Sequence, residues 1–475
     1  MSNGQMPSDI SPTGNYSQDQ RSQMGWAAIL GLVVLTALAM VGAGGILRPL
    51  ITLGSFAVGV FLYRRYPLLY MGFAWWLWLL APFVARVIDY RSSFDPLRLV
   101  LLSQYLVTLL TLHTFLKHLP KASRQDGLPF VLAFVGVVYG FLVGLINTSP
   151  ITAFRGLLDW LPPIPFGFYL FINWRDYPEY RQNIQRVFLW GVLVTGAYGV
   201  VQYLVVPEWD RFWLISTKLT SFGDPEPFKL RIWSTMPSPG PFAVMMMTGL
   251  LLLFTSKEAV RIPAAGAGYL AFLLTMVRTL WGAWFLGLLI LMASLKAHLQ
   301  MRLIVTILIM AVCVVPLVTI EPFATTITTR LQTFSNLQED DSAKVRKEIY
   351  EKGLNSALTN GLGNGIGNTF IAKEGKLEPV VIDSGILDMF FTLGWFGAVF
   401  YLGGLLLLLY NLFQYSEFRF DPFMAAARAI SIACFMTLPG GSTMLAFGGI
   451  VLWGFLGIAI AGHKYHQHQR TAKLD

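Results

Sequence analysis

Gly266-Ala-Gly-Tyr-Leu-Ala-Phe-Leu-Leu-Thr-Met276 and Leu280-Trp-Gly-Ala-Trp-Phe-Leu-Gly-Leu-Leu-Ile-Leu-Met-Ala-Ser294 are two apolar runs parted by Val277-Arg278-Thr279. Blocks of this kind recur along the chain. Many approach the ~20 residues that an α-helix needs to cross about 30 Å of hydrocarbon. Helices satisfy every backbone N–H and C=O within their own segment, which the bilayer demands. Turn-punctuated alternation over ten residues, the mark of an outer-membrane barrel, does not occur. Arg278 itself has two readings. At membrane depth a guanidinium costs about 2.5–3.5 kcal/mol on insertion scales and marks a functional site by default. At a helix end it simply reaches the interface beside tryptophans.

Composition agrees with an all-α, polytopic integral membrane protein. The 475 residues are 55% hydrophobic, 14% aromatic and only 13% charged, which excludes an ordinary soluble domain. A net charge of +9 raises the question of nucleic acid. The basic residues lie in short loops between apolar blocks, however, so membrane orientation explains them and no nucleic-acid partner is expected. Cys313 and Cys434 both sit in apolar runs, so neither a disulfide framework nor a zinc site is in prospect.

Residues 1–25, rich in Ser, Gln, Asn and Pro, read as a disordered cytoplasmic tail. The membrane domain, 26–461, holds about fourteen candidate spans. They fall near 26–46, 49–63, 67–85, 98–116, 129–147, 156–173, 187–206, 241–256, 262–277, 279–295, 303–320, 385–413, 423–437 and 441–461. A basic tail, 462–475, follows. Lys117–Arg124, Arg175–Arg186, Lys257–Arg261, Lys296–Arg302 and Arg419–Arg428 alternate with poorly charged loops. About 18 Lys/Arg then fall inside against about 6 in the short outer loops, which places both termini in the cytoplasm.

Two outer connections, 207–240 and 321–383, are too long to be turns. In the second, Asp341–Asn360 carries Val345, Ile349, Leu354 and Ala357 at helical spacing, predicting an amphipathic helix on the outer surface. The first ends Lys229-Leu-Arg-Ile-Trp-Ser-Thr-Met-Pro-Ser-Pro-Gly-Pro-Phe242, where Pro237, Pro239 and Pro241 exclude helix. Irregular backbone at that depth is tolerated where it is buried in protein or lines a wet cavity, and Arg231 stands beside it.

Arg346 lies on the amphipathic helix and Arg330 precedes it; lysines 344 and 347 read as a solvated face. Gly361-Leu-Gly-Asn-Gly-Ile-Gly-Asn368 lacks the G-x-G-x-x-G spacing and reads as a tight turn rather than a nucleotide loop. In Val380-Val-Ile-Asp-Ser-Gly-Ile-Leu-Asp-Met389, Asp383 has the position of a helix cap or of a base, and Asp388 follows inside the apolar run. All six histidines fall on or near the inner side, so an outward site with a general base must use a carboxylate. Arg231, Arg278 and the loop arginines gather at the outer leaflet without a metal motif, and guanidinium forks suit phosphate and diphosphate. Trp209, Trp213, Trp233, Trp281 and Trp284 add aromatic surface there, for an interfacial belt or for stacking on sugar rings.

The ordered set Arg231–Ala243, Leu274–Gly282, Gly363–Asn368 and Asp383–Trp395 resembles the O-antigen ligase and polymerase superfamily of bacterial envelope glycosyltransferases, nearest its exopolysaccharide polymerase branch. The resemblance covers most of 26–460. It implies a GT-C-like fold in the bacterial inner membrane and metal-independent, inverting transfer of glycan from undecaprenyl diphosphate to an acceptor glycan, with no cofactor. By position, Arg278 and Arg231 would grip the diphosphate with help from Arg346 and Arg330. Asp383, or secondarily Asp388, would activate the acceptor hydroxyl. Where ligases of the superfamily carry a His-Asn pair, this chain has Asp383-Ser384, which favours polymerisation of repeat units at the periplasmic face. A flippase and a chain-length regulator would be its protein partners. Two other expectations stand beside it: a ligase moving glycan onto a lipid or protein, and, from a different class, a flippase or transporter of lipid-linked sugars.

Overall fold

The computed structural model describes residues 14–122, 126–295, 300–301, 359–368, 370–373, 376–379, 384–415 and 417–472, with single positions at 304, 308, 354 and 382. The chain runs α1 (Gly14–Leu38), α2 (Gly44–Arg65), α3 (Pro67–Arg91), α4 (Leu99–Leu109), α5 (Thr111–Ala122) and α6 (Leu128–Asn147). Then come α7 (Pro150–Trp160), α8 (Pro163–Ile172), α9 (Tyr177–Val205), α10 (Glu208–Thr217), α11 (Pro239–Leu253), α12 (Arg261–Leu274) and α13 (Arg278–Ser294). A small antiparallel hairpin, β1 (Phe370–Lys373) with β2 (Lys376–Pro379), precedes α14 (Gly385–Gln414), α15 (Pro422–Met436) and α16 (Ala446–Thr471). Among the described residues, nine helical stretches are long and apolar enough to cross a membrane, and α11, α12 and α13 are shorter apolar helices. The chain is a polytopic helical membrane protein.

Prolines set several helix starts. Pro67, Pro150, Pro163, Pro239 and Pro422 open α3, α7, α8, α11 and α15, where a missing N–H costs nothing. Helix α16 forms the axis of the bundle, with every residue from Phe447 to Gly462 buried. It packs on α8 through Gly457 and Gly167, where a Cβ on Gly457 would lie 2.1 Å from the Gly167 carbonyl oxygen. Small residues let two apolar helices meet backbone to backbone, which is how helices gain packing where lipid removes the hydrophobic drive. Trp453 on the same helix donates its indole N–H to the Tyr401 hydroxyl at 2.9 Å, so the buried polar ends satisfy each other.

Helix α14 is kinked at Gly394, whose φ of 65° only glycine adopts without strain. The kink releases Trp395 N–H and Phe391 C=O from each other. The Gly361–Asn368 loop takes both: Trp395 N donates to Gly361 O at 2.9 Å, and Asn364 N donates to Phe391 O at 2.9 Å. Ile366 N donates to Gly140 O of α6 at 2.9 Å, and a Cβ on Gly365 would meet Gly144 N at 2.3 Å. The turn expected there is a glycine wedge driven between α6, α7 and α14, which re-pairs the backbone that the kink exposes.

The two ends of the bundle are stapled differently. The loop end gathers residues 92–98, 206–238 and 361–368. Here Arg86 of α3 and Asp210 of α10 form an ion pair at 2.8 Å, with side chains 1% and 0% exposed. The opposite, basic end is held by Asp421, which accepts from Tyr177 Oη at 2.8 Å, His466 Nε2 at 3.1 Å and Arg181 Nη1 at 3.1 Å. Burial alone would raise the Asp421 carboxyl's pKa; these donors and the Arg181 charge outweigh it and hold the carboxyl below its ordinary value.

Several expected spans have different edges. Arg48, left between the first two spans, lies inside α2 and pairs with Asp89 at 2.8 Å; the break falls earlier, at Gly42. The sixth span is two helices, α7 and α8, parted at Leu161-Pro162, and the third runs on to Arg91. Helix α1 begins at Gly14, within the stretch read as a tail. The span at 303–320 and the amphipathic helix at 341–360 lie almost wholly outside the described residues.

Candidate functional site

Arg278 is not at mid-span. Helix α12 stops at Leu274, Met276 adopts a left-handed φ of 55°, and Arg278 is the first residue of α13. The hairpin between these helices leaves C-terminal carbonyls without intrahelical partners. The extended segment before α11 supplies donors for them. Ile232 N donates to Leu274 O at 3.2 Å and Arg231 Nε donates to Thr275 O at 3.2 Å. Arg231 N also donates to Phe222 O at 2.8 Å, tying the segment to a bridge between Gly223 and Leu230. A cation at a helix C-terminus is itself stabilising, so Arg231 has a structural role in addition to any ligand role.

A cavity of about 880 Å³ opens beside this hairpin, and Lys229, Arg231 and Arg278 all line it. The starts of three helices line it too: Pro237, Gly240 and Pro241 at α11, Arg278 to Leu280 at α13, and Ala446 to Gly448 at α16. Helix N-termini present unpaired N–H groups and the positive end of the helix dipole, although at α11, where Pro239 and Pro241 have no N–H, only Gly240 offers one. No Asp or Glu lines the cavity among the described residues. Lys229 is paired with Glu226 at 2.6 Å; Arg231, Arg278 and the three helix N-termini, with no described carboxylate among the lining residues, make the cavity favourable to an anion. Hydroxyls of Ser442 and Thr443 and the glycines 440 and 441 complete the floor near α16.

The far wall is different in kind. Trp78, Gln104, Tyr105 and Phe447 stand there, and Trp78 and Tyr105 meet edge to face at 4.9 Å. Tyr105 Oη donates to Asp159 Oδ1 of α7 at 2.8 Å. Asp159 is thus a carboxylate one hydroxyl away from the cavity wall. Sequence reasoning missed both, because Asp159 fell inside a span whose break was not recognised.

The expected site residues divide. Arg231 and Arg278 share one cavity, as their placement predicts. Asp383, Arg330 and Arg346 lie outside the described residues. Asp383 is flanked by Ile382, which lines the cavity, and by Ser384, which performs the cap: its Oγ accepts from Leu387 N at 3.3 Å. Asp388 does not line the cavity; its carboxylate accepts from Thr392 Oγ1 of the same helix at 2.7 Å. The five tryptophans do not form a sugar platform, since none of them lines the cavity. Trp213 and Trp233 are buried against each other and Phe222, with the Arg86 guanidinium about 6 Å from each ring.

Arg86 is the cation that sequence reasoning overlooked. Besides Asp210, its guanidinium donates to the carbonyls of Met236, at 2.7 Å, and Ser234. Asp210 accepts from Tyr198 Oη at 2.6 Å and Gln202 Nε2 at 2.8 Å, and Gln202 Oε1 accepts from the backbone N–H of Trp233 and Ser234. This network fixes the irregular backbone that carries Arg231. The signal was a charged pair, Arg86 and Asp89, near the end of an apolar run, but nothing local identified Asp210 as the partner.

No protein-family model matches the chain, and no curated protein matches it. The cavity's own chemistry therefore carries the functional reading. Among the described residues no cluster of His, Cys, Asp or Glu has the makings of a metal site.

Proposed function

We propose that this protein is a glycosyltransferase of the bacterial inner membrane that joins oligosaccharide repeat units carried on undecaprenyl diphosphate. The observation that carries the proposal is the shared cavity of Arg231 and Arg278, with helix N-termini around it and no carboxylate on its described walls. In this reading the fold is GT-C-like, the loop end faces the periplasm, and both termini face the cytoplasm.

The reaction forms a bond from an acceptor-sugar hydroxyl oxygen to the anomeric carbon and breaks the bond from that carbon to diphosphate. The electron pair leaves on diphosphate. Arg278 and Arg231 bind that group and stabilise the charge that grows on it, with the first N–H groups of α13 beside them. Arg231 is pre-set for this by its bond to Thr275 O, so little reorganisation accompanies charge development. The acceptor's proton needs a base, and the histidines are at the wrong end. Asp383 is the assigned base, with Asp388 less favoured because its carboxylate is engaged within α14. Asp159, reached through the Tyr105 hydroxyl, is a third route. Arg346 and Arg330 would add to the diphosphate clamp from the large loop.

A ligase would use the same clamp, and an acceptor assay separates it from a polymerase. A flippase would need ionisable residues along a path through both leaflets, whereas the cations of this cavity cluster at one end. The test is polymerisation in reconstituted membranes with lipid-linked oligosaccharide. Wild type should build ladders, and Arg278→Ala should not while still inserting and folding. Movement of the lipid between leaflets with no transfer would hand the case to the flippase.

A further inference from the structure

We propose a second phosphate site at the basic end, formed by Arg428, Arg419 and Ser294 and occupied by the headgroup of a membrane phospholipid. A cavity of about 380 Å³ lies there between the ends of α13 and α14, the Glu417–Arg419 turn and the flank of α15. Arg428 of α15 is pinned on two sides. One Nη donates to Ser294 Oγ, and the guanidinium lies 4.3 Å over the Phe418 ring. Its Nε is buried without a hydrogen-bond partner. Arg419, exposed on the short 3-10 turn Glu417–Arg419, lines the same cavity. No Asp or Glu does so among the described residues.

A guanidinium held in place with part of its donor edge unused suits a tetrahedral oxyanion, which takes several N–H donors at once. Part of the role of Arg428 is to complement the C-terminus of α13, where a cation is favourable. That role leaves Nε and Arg419 unexplained. The apolar surroundings indicate what carries the phosphate. Leu406, Tyr410 and Phe413 of α14 are 46%, 60% and 66% exposed, at helical spacing on one face, and Phe413 borders the cavity. Acyl chains along that face would bring a headgroup phosphate to the arginines. Basic pockets between membrane helices hold lipid headgroups in this way.

The test uses the full-length protein in a neutral detergent, titrated separately with short-chain phosphatidylglycerol and with inorganic phosphate and followed by thermal shift. Phosphatidylglycerol should stabilise wild type saturably, and Arg428→Gln should weaken its affinity by about tenfold or more. Arg419→Gln, at an exposed position that cannot disturb packing, should weaken it severalfold with no change in the ligand-free melting point. An equal, arginine-dependent response to inorganic phosphate would keep the phosphate site but assign it a soluble ligand. No response to either ligand, or the same affinity in wild type and Arg419→Gln, would overturn the site. Because it lies at the end opposite the larger cavity, neither result bears on glycosyl transfer.

Discussion

Arg86 and Arg278 are both arginines at the loop-end tips of apolar helices, yet their surroundings give them opposite characters. Arg86 is 1% exposed, paired with Asp210, bonded to two carbonyls and enclosed by Trp213 and Trp233. Arg278 opens a helix on the wall of a cavity whose described lining holds no acid. A buried cation whose donors are spent on structural acceptors determines the fold; a cation on the wall of a cavity is placed to meet a ligand. The two lie within one assembly, since the Arg86 network holds the segment that places Arg231 beside Arg278.

The sharpest way to break the comparison is to remove each arginine. Arg86→Ala should cost about 3–5 kcal/mol by stranding Asp210 in the interior. It should show as a large fall in melting temperature or loss of a monodisperse peak in detergent. Arg278→Ala should leave the melting temperature near wild type and reduce glycan transfer by about 10²–10³-fold, the usual loss when one stabiliser of a developing anion is removed. Arg278→Lys should recover part of that rate, because it keeps the charge but loses the fork. A melting temperature that falls equally in Arg86→Ala and Arg278→Ala would erase the distinction.

Smaller effects belong to the far wall and the basic end. Tyr105→Phe removes the hydroxyl between Asp159 and the cavity and should lower transfer by about tenfold if that route takes the acceptor proton. An unchanged rate and pH profile would return the proton to Asp383. Asp421 offers the mildest test. Its folded carboxyl lies below its ordinary value, so its contribution is present at neutral pH and is lost as pH falls below about 4. Asp421→Asn should lower the melting temperature at neutral pH and flatten the acid limb, so that its profile and that of wild type converge as pH falls below about 4.

The membrane class was legible in the sequence because apolar blocks of ~20 residues admit almost no other reading. Arg231 and Arg278 were legible for the same reason: a cation or a proline cluster against apolar sequence is costly unless something accommodates it. What escaped was long-range pairing. Asp210 reads as a surface acid of a loop helix until α3 is packed against it, and Gly361–Asn368 reads as a turn until the kink at Gly394 reveals the backbone groups it serves. The break between α7 and α8 escaped too, since prolines are tolerated in spans when neighbours satisfy the freed carbonyls, and Asp159 was hidden with it.

The most direct measurement is a thermal-shift titration of the purified protein with undecaprenyl diphosphate, comparing wild type, Arg231→Ala and Arg278→Ala. Saturable stabilisation of wild type that both variants lose, with the ligand-free melting point of Arg278→Ala near that of wild type and that of Arg231→Ala somewhat lowered by the loss of its bond to Thr275 O, is the expected result. Equal stabilisation in all three would contradict the assignment of this cavity as the diphosphate site.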